Sequence, residues 1–239
     1  NTIPKRGYFR IPIISIPTTS GTASEITPYS TIWDNRLNKK YSLTLSDLYS
    51  EVAIYDPILT LSLPKKLTIQ TALDTLSHSM DSIWNKNANE TTLKFSIKAA
   101  KLVVDNLVSL TNDLENIVLR ENIMRGCMYA GFAFSKTKTS LAHGISYMVT
   151  NRKGIDHGIA CSFTLPLIID ASIGKHRFID DAIIEIFGEL SSQKLRDIYA
   201  DLDVSTEPKD YQIDDEEWKE ILDISRSNER SANSLVALI

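Results

Sequence analysis

Hydrophobic and polar positions fall into two regimes along this chain, and the change comes near Lys65. Ahead of it, FRIPIISIP is rich in residues that favour extended backbone, YSTIWD and YSLTL flank the polar turn NRLNKK, and EVAIYD runs up to a proline. Three or four strands are expected there. Beyond it, Ile69, Leu73, Leu76, Met80 and Ile83 recur at steps of four and three, the spacing of a helix face. Leu93, Ile97, Ala100, Val104 and Leu107 predict a second helix, LENIVLRENIMRGCMYAGFAF a third, and Leu141, Ile145 and Met148 a fourth. The residue before Pro166 marks a helix boundary or kink. FIDDAIIEIFGEL, SQKLRDIYADLD and DDEEWKEILD predict amphipathic helices whose charges form a solvated face. Strands followed by a run of helices imply an α+β chain, with a small sheet packed beside a helical domain. Parallel pairing needs crossovers of a dozen residues or more, and few segments here are that long, so partners for these strands are expected upstream. No internal repeat is visible, and the boundary is expected in DPILTLSLPKK at 56–66, giving units 1–60 and 61–239.

Composition narrows the class. With 239 residues, 43% hydrophobic and 23% charged, the chain can bury a sizeable core. Its net charge of -4 is spread without a block of either sign, so no nucleic-acid partner and no membrane-surface anchor is expected. Cys127 and Cys161 both sit in apolar stretches, which predicts buried, reduced thiols and a reducing, cytoplasmic compartment. No apolar run reaches the roughly 18 residues of a membrane span, and NTIPKRGYFRIPIIS lacks a signal-peptide core. A first residue that is Asn suggests a chain beginning within a longer protein.

Four residues are candidates for a metal. Asp74 and His78 lie four apart, so on a helix both project from one side, a spacing that suits two ligands of one ion as well as an ordinary solvated pair. Their stripe, continued by Asp81, is rotated one residue from the apolar stripe, so this helix has two working faces. His143 and His157 are separated by the turn NRKG. Straight helix would hold them roughly 21 Å apart, so only a helical hairpin folded at that turn brings both to one ion. Each is followed by a glycine, Gly144 or Gly158, leaving room beside the ring; a core histidine bonded to a carbonyl is the competing reading for each. Together they make a nitrogen and oxygen set for a divalent first-row metal, iron or zinc rather than calcium. His176 has no comparable neighbours and reads as a surface residue.

These residues resemble those of the iron-containing, group III alcohol dehydrogenases. The similar segments are PTTSGTASEIT at 17–27, DPILTLSLP at 56–64, ALDTLSHSMDSIW at 72–84, AGFAFSKTKTSLAHGISY at 130–147 and DHGIACSFTLP at 156–166. The resemblance implies that Asp74, His78, His143 and His157 bind the metal, Fe(2+) or, as the alternative, Zn(2+). It implies a dehydroquinate synthase-like fold, in which 1–60 is the C-terminal part of an α/β dinucleotide-binding domain and 61–239 an all-helical metal-binding catalytic domain. Thr18, Thr19, Gly21, Thr22 and Lys40 are then expected to contact NAD or NADP. STIWD, KKYSL, DSIWNKNAN, SKTKTSLAHGISY and HGIACSFTLP are similar to the branch that interconverts phosphonoacetaldehyde and 2-hydroxyethylphosphonate. On that similarity Phe134, Lys138 and Thr139 are expected to meet substrate, since a phosphonate calls for cations and hydroxyl donors. A polar helix start capped by Thr139 or Ser140 explains the same cluster without a ligand.

Two departures from the family pattern stand out. The glycine-rich phosphate loop is absent, none of the nine glycines forms a GxGxxG substitute, and weak nicotinamide binding by this chain alone is expected. Many members carry a second histidine where this chain has Tyr147, which becomes the candidate catalytic residue, orienting a ligand or relaying a proton, unless it is simply packed. The expected activity is metal-assisted, nicotinamide-linked reduction of a small aldehyde by a homo-oligomer. A zinc polyol dehydrogenase, a general short-chain alcohol dehydrogenase, a dehydroquinate-synthase-like lyase and a non-catalytic metal-binding remnant remain the alternatives.

Overall fold

The computed structural model describes residues 11–34, 36, 39–189 and 191–238. Among the described residues four strands form as two separate pairs and not as one small sheet. β2 (Tyr29–Asp34) and β3 (Lys39–Thr44) make the expected antiparallel hairpin, with Tyr29 opposite Thr44 and Asp34 opposite Lys39. β1 (Ile14–Ser15) pairs in parallel with β4 (Val52–Ala53). Few segments were expected to be long enough for a crossover between parallel strands, and partners were expected upstream; between β1 and β4 the stretch that contains the hairpin supplies the crossover.

Nine α-helices follow among the described residues. α1 (Lys65–Ile83), α2 (Glu90–Asn112), α3 (Ile117–Thr137) and α4 (Leu141–Lys153) fall where the apolar spacing places them. α5 (His157–Ala160) is a single turn, and α6 (Leu165–Ser172) carries Pro166 in its first turn, where a missing N–H costs nothing. α7 (Arg177–Phe187), α8 (Ser191–Asp201) and α9 (Asp215–Arg226) complete the order. The stretch 56–66 is a 3-10 turn (Pro57–Thr60) packed on α3, followed by the start of α1. Asn89 opens α2 with a reciprocal capping box through Thr92.

α1 lies at the centre. Its two stripes were expected to divide it into an apolar and a polar face, yet from Ala72 to Ile83 every residue is buried. Hydroxyl residues make this possible. Ser79 donates to Thr75 O and Ser82 to His78 O within the helix, and Ser77 donates across to Cys161 O at 2.6 Å, so small polar side chains enter the core with their hydrogen bonds made. The charges of α9 are likewise not all solvated. Glu220 holds Arg152 and Glu217 holds Lys153, fastening α9 to the last turn of α4.

Candidate metal centre

Three elements converge on one carboxylate. Asp74 and His78 project from α1, His143 from the first turn of α4 and His157 from the first position of α5. The hairpin that brings the last two together does not bend at NRKG as a unit. Asn151, Arg152 and Lys153 remain helical because α4 ends only at Gly154, whose left-handed φ of 66° is one that glycine adopts without strain. Asp74 Oδ1 stands 3.6 Å from His78 Nδ1, 3.4 Å from His143 Nε2 and 3.9 Å from His157 Nε2. The His78 and His143 rings stack at 4.4 Å, and His157 meets His143 edge-on at 5.6 Å. Asp74, His78 and His143 are buried, while the His157 side chain is 47% exposed and forms the open side of the cluster.

Two imidazole nitrogens, His78 Nδ1 and His143 Nε2, are buried without a hydrogen-bond partner. Buried polar atoms are normally satisfied, so two such orphans beside one carboxylate oxygen fit a divalent cation. Burial works against the charge of Asp74, but His78, His143 and His157 outweigh it and hold the carboxyl well below its usual range, so it stays ionised. Burial pushes His78 down to about 3, leaving its ring neutral and its lone pair available.

Two further residues take part. Asp74, His143, His157 and Cys161 bring donor atoms all within 4.8 Å of one another, and His78 joins them through Asp74. Cys161, expected only as a buried thiol, is indeed free and buried, and its Sγ lies 3.5 Å from Asp74 Oδ1. Burial and the Asp74 charge push the thiol up, so it serves Asp74 as a weak donor. Asp81, one step along the polar stripe, is completely buried and accepts from His143 Nδ1 at 2.8 Å. A proton fixed on Nδ1 leaves the Nε2 lone pair facing Asp74, the tautomer a ligand histidine needs. Burial would raise Asp81, but the contacts with His143 and Ser140 bring it down to about 2. Asp81 also accepts from Ser140 N, Ala142 N and His143 N, so this distant carboxylate caps α4, and neither Thr139 nor Ser140 supplies the expected side-chain cap.

The glycines after the histidines make room for something other than the rings. A Cβ at Gly158 would sit 1.9 Å from Gln70 O, and one at Gly144 2.1 Å from Ser231 Oγ. Close approach of α5 to α1, and of a later segment to α4, is what they permit.

The 17–22 turn lies directly against α1. Thr75, next to Asp74, donates to Ser20 O at 3.1 Å. Gly21 packs so tightly that a Cβ would meet Thr71 Cβ at 2.9 Å, so its absent side chain serves packing. Thr18 and Thr22 are exposed and Thr19 half-buried, with the Thr22 hydroxyl 2.8 Å from Ser24 Oγ. Lys40 lies in β3 opposite Trp33, and its side chain falls outside the described residues. Phe134 is buried and stacks on His78 at 4.1 Å. Lys138 is exposed, with a backbone at φ 65°, ψ 175° that residues other than glycine rarely adopt, and its carbonyl accepts from Asn85 Nδ2. Thr139 is buried, and Tyr147 is half-buried one turn beyond His143 on α4.

Known proteins can be set beside this geometry. Residues 68–234 match the C-terminal region of the Fe-containing alcohol dehydrogenase family, and residues 2–57 match iron-containing alcohol dehydrogenase. The chain belongs to the iron-containing alcohol dehydrogenase family. Aldehyde-alcohol dehydrogenase 2 of Entamoeba histolytica is 39% identical over 158 residues, covering 66% of this chain and 18% of that protein. Phosphonoacetaldehyde reductase of Streptomyces viridochromogenes is 30% identical over 153 residues, covering 64% and 39%. Sulfoacetaldehyde reductase of Bifidobacterium kashiwanohense, solved in complex with NAD+, superposes with a TM-score of 0.90 at 30% identity, covering 96% of this chain and 62% of that one. The chain thus spans less than two thirds of each of these relatives. Among the described residues no helix is long and apolar enough to cross a membrane.

Proposed function

We propose that this chain carries the metal-binding half of a nicotinamide-linked aldehyde reductase, with Asp74, His78, His143 and His157 holding one divalent iron and phosphonoacetaldehyde reduced to 2-hydroxyethylphosphonate. The observation that carries the reading is the pair of orphaned imidazole nitrogens beside one oxygen of an ionised, buried Asp74. When bound, the metal supplies Lewis-acid polarisation of a carbonyl oxygen and the reduced nicotinamide supplies hydride. The chain's own residues prepare for both. Asp81 keeps the proton on His143 Nδ1, the imidazoles keep Asp74 ionised, and the Cys161 thiol helps hold it in place. Thr75 fixes the 17–22 turn, where Thr18, Thr19, Gly21 and Thr22 take the nicotinamide cofactor, next to Asp74. Burial raises Tyr147, so its phenol stays protonated at neutral pH and acts as a hydrogen-bond donor or proton source. Phe134 walls the site behind His78, and Lys138 and Thr139 meet the phosphonate.

The phosphonate relative at 30% identity supports this substrate, and the sulfonate relative supports a second reading in which sulfoacetaldehyde takes its place. The test is metal content after dialysis against a chelator. His143→Ala and His157→Ala should each lose most of the iron that the unaltered protein retains; full retention in both would sink the assignment. Turnover of phosphonoacetaldehyde against sulfoacetaldehyde then separates the two substrates.

A further inference from the structure

The segment after α9 returns to the start of α4, where His143 sits. Asn233 Nδ2 donates to Thr139 O, Lys86 N to Asn233 O and Leu235 N to Trp84 O, while Ser231 fills the space left by Gly144. The chain around Arg230 is thereby pinned across the start of α4 and the end of α1. Arg230 N is itself held by Asn228 Oδ1 at 2.9 Å.

From that position Arg230 sends its guanidinium over the Tyr147 ring, 4.7 Å from the centroid, and donates from Nη1 to Thr139 Oγ1 at 3.2 Å. Thr139 and Tyr147 lie four residues before and four after His143. The charge of Arg230 also reaches Tyr29, where it opposes the burial that pushes that phenol up to about 12; Tyr29 stacks on Phe134, and Phe134 on His78. Other arginines are neutralised, Arg152 by Glu220, Arg196 by Asp170 and Arg226 by Asp223. Buried Arg120 is satisfied by the Leu114 and Leu63 carbonyls and the Thr68 hydroxyl. Arg230 is half-buried, forms no ion pair among the described residues and uses one of its five donors on a neutral hydroxyl. A partly desolvated guanidinium left without an anion calls for one from solution, and its planar fork matches a tetrahedral oxyanion with two parallel bonds.

We propose that Arg230 is the specificity-determining residue that grips the oxyanion end of a short aldehyde, a phosphonate or a sulfonate, while the carbonyl end lies toward His143. This rests on the aldehyde-reductase reading for the identity of the other end, but not for the anion site itself. Lys138, exposed on its strained backbone, is then an auxiliary charge at the rim.

The test is calorimetric binding of ethylphosphonate and ethanesulfonate, unreactive stand-ins for the two substrates, to the intact protein, with ethanol as the uncharged control. A bidentate charge-assisted contact predicts that Arg230→Gln weakens oxyanion binding about ten- to hundredfold, with Arg230→Lys in between because it keeps charge but loses the fork. Thermal melting of each variant, expected within a few degrees of the unaltered protein, separates loss of the anion from loss of the fold. Preference for ethylphosphonate or ethanesulfonate identifies the oxyanion, and either supports the proposal. Equal oxyanion affinity in Arg230→Gln, or no oxyanion binding by the unaltered protein, overturns it. Failure of the reductase reading would show instead as absent aldehyde turnover with anion binding intact.

Discussion

Replacing Asp81 with Asn changes one oxygen to an amide nitrogen at a site where both oxygens are fully used. Oδ1 accepts from Trp84 Nε1 at 3.0 Å, Ser140 Oγ at 2.8 Å and Ala142 N at 3.1 Å. Oδ2 accepts from Ser140 N at 2.8 Å, His143 N at 3.2 Å and His143 Nδ1 at 2.8 Å. The least costly orientation places the new NH2 at the Oδ1 position, where Ser140 Oγ can turn to the Asp81 carbonyl, already 3.0 Å away. The Trp84 and Ala142 N–H groups then stay buried without an acceptor. At about 1–3 kcal/mol for each stranded donor, the total is about 4 kcal/mol. For a protein of this size each kcal/mol moves the melting temperature by roughly 2–4 °C, so Asp81→Asn should melt about 8–16 °C lower. Scanning calorimetry on metal-stripped protein isolates this effect from metal binding. A shift under about 3 °C would refute the argument that Asp81 caps α4 from another helix. In metal-loaded protein the same variant should also hold iron about ten- to hundredfold more weakly, because a neutral amide oxygen in place of the carboxylate at His143 Nδ1 makes the ring a less basic ligand.

Further outcomes follow from neighbouring contacts. Gly158→Ala puts a Cβ 1.9 Å from Gln70 O, a backbone atom that cannot step aside, so α5 must lift from α1; melting about 4–10 °C lower together with lost metal retention is expected, and an unchanged melt would contradict the close packing. Thr75→Val keeps shape but leaves the Ser20 carbonyl without its donor, which should raise the KM for nicotinamide several-fold at constant metal content; falling metal content would show that the turn and the metal centre cannot be separated this way. Lys138→Ala in the intact enzyme should raise the KM for phosphonoacetaldehyde while sparing an uncharged aldehyde of similar size, and equal losses for both would assign Lys138 a structural role.

Helix positions were legible because they depend on local spacing, and α1 to α4 fall where their apolar residues recur. The burial of α1 was not, since spacing ranks Ser77, Ser79 and Ser82 as polar and does not reveal that carbonyls await them inside. Asp74 and His78 were visible as a pair four apart and His143 and His157 as candidates on either side of a turn, each with a core-histidine reading beside it, and the resemblance joined the four into one expected set. Asp81 stood in the same stripe, but its task depends on the start of α4 arriving beside it, a tertiary fact. Arg230 gave no local signal at all: it lies far along the chain from His143, and only the return of the last segment across α4 brings it near. The hairpin turn was misplaced by three residues because Asn, Arg and Lys read as turn formers, whereas Gly154 alone ends the helix.

Asp74 and Thr75 are adjacent on α1, one facing the imidazoles and the other holding the turn at Ser20. A single peptide unit thus sets the distance between the two places where the proposed reaction needs its parts. Neither can drift without dragging the other, so under the proposed reaction the spacing between carbonyl and nicotinamide would follow from the pitch of one helix. Substitutions in the 17–22 turn, the proposed cofactor contact, would therefore also reach the metal centre, and libraries that vary the turn should be screened for iron content as well as for coenzyme.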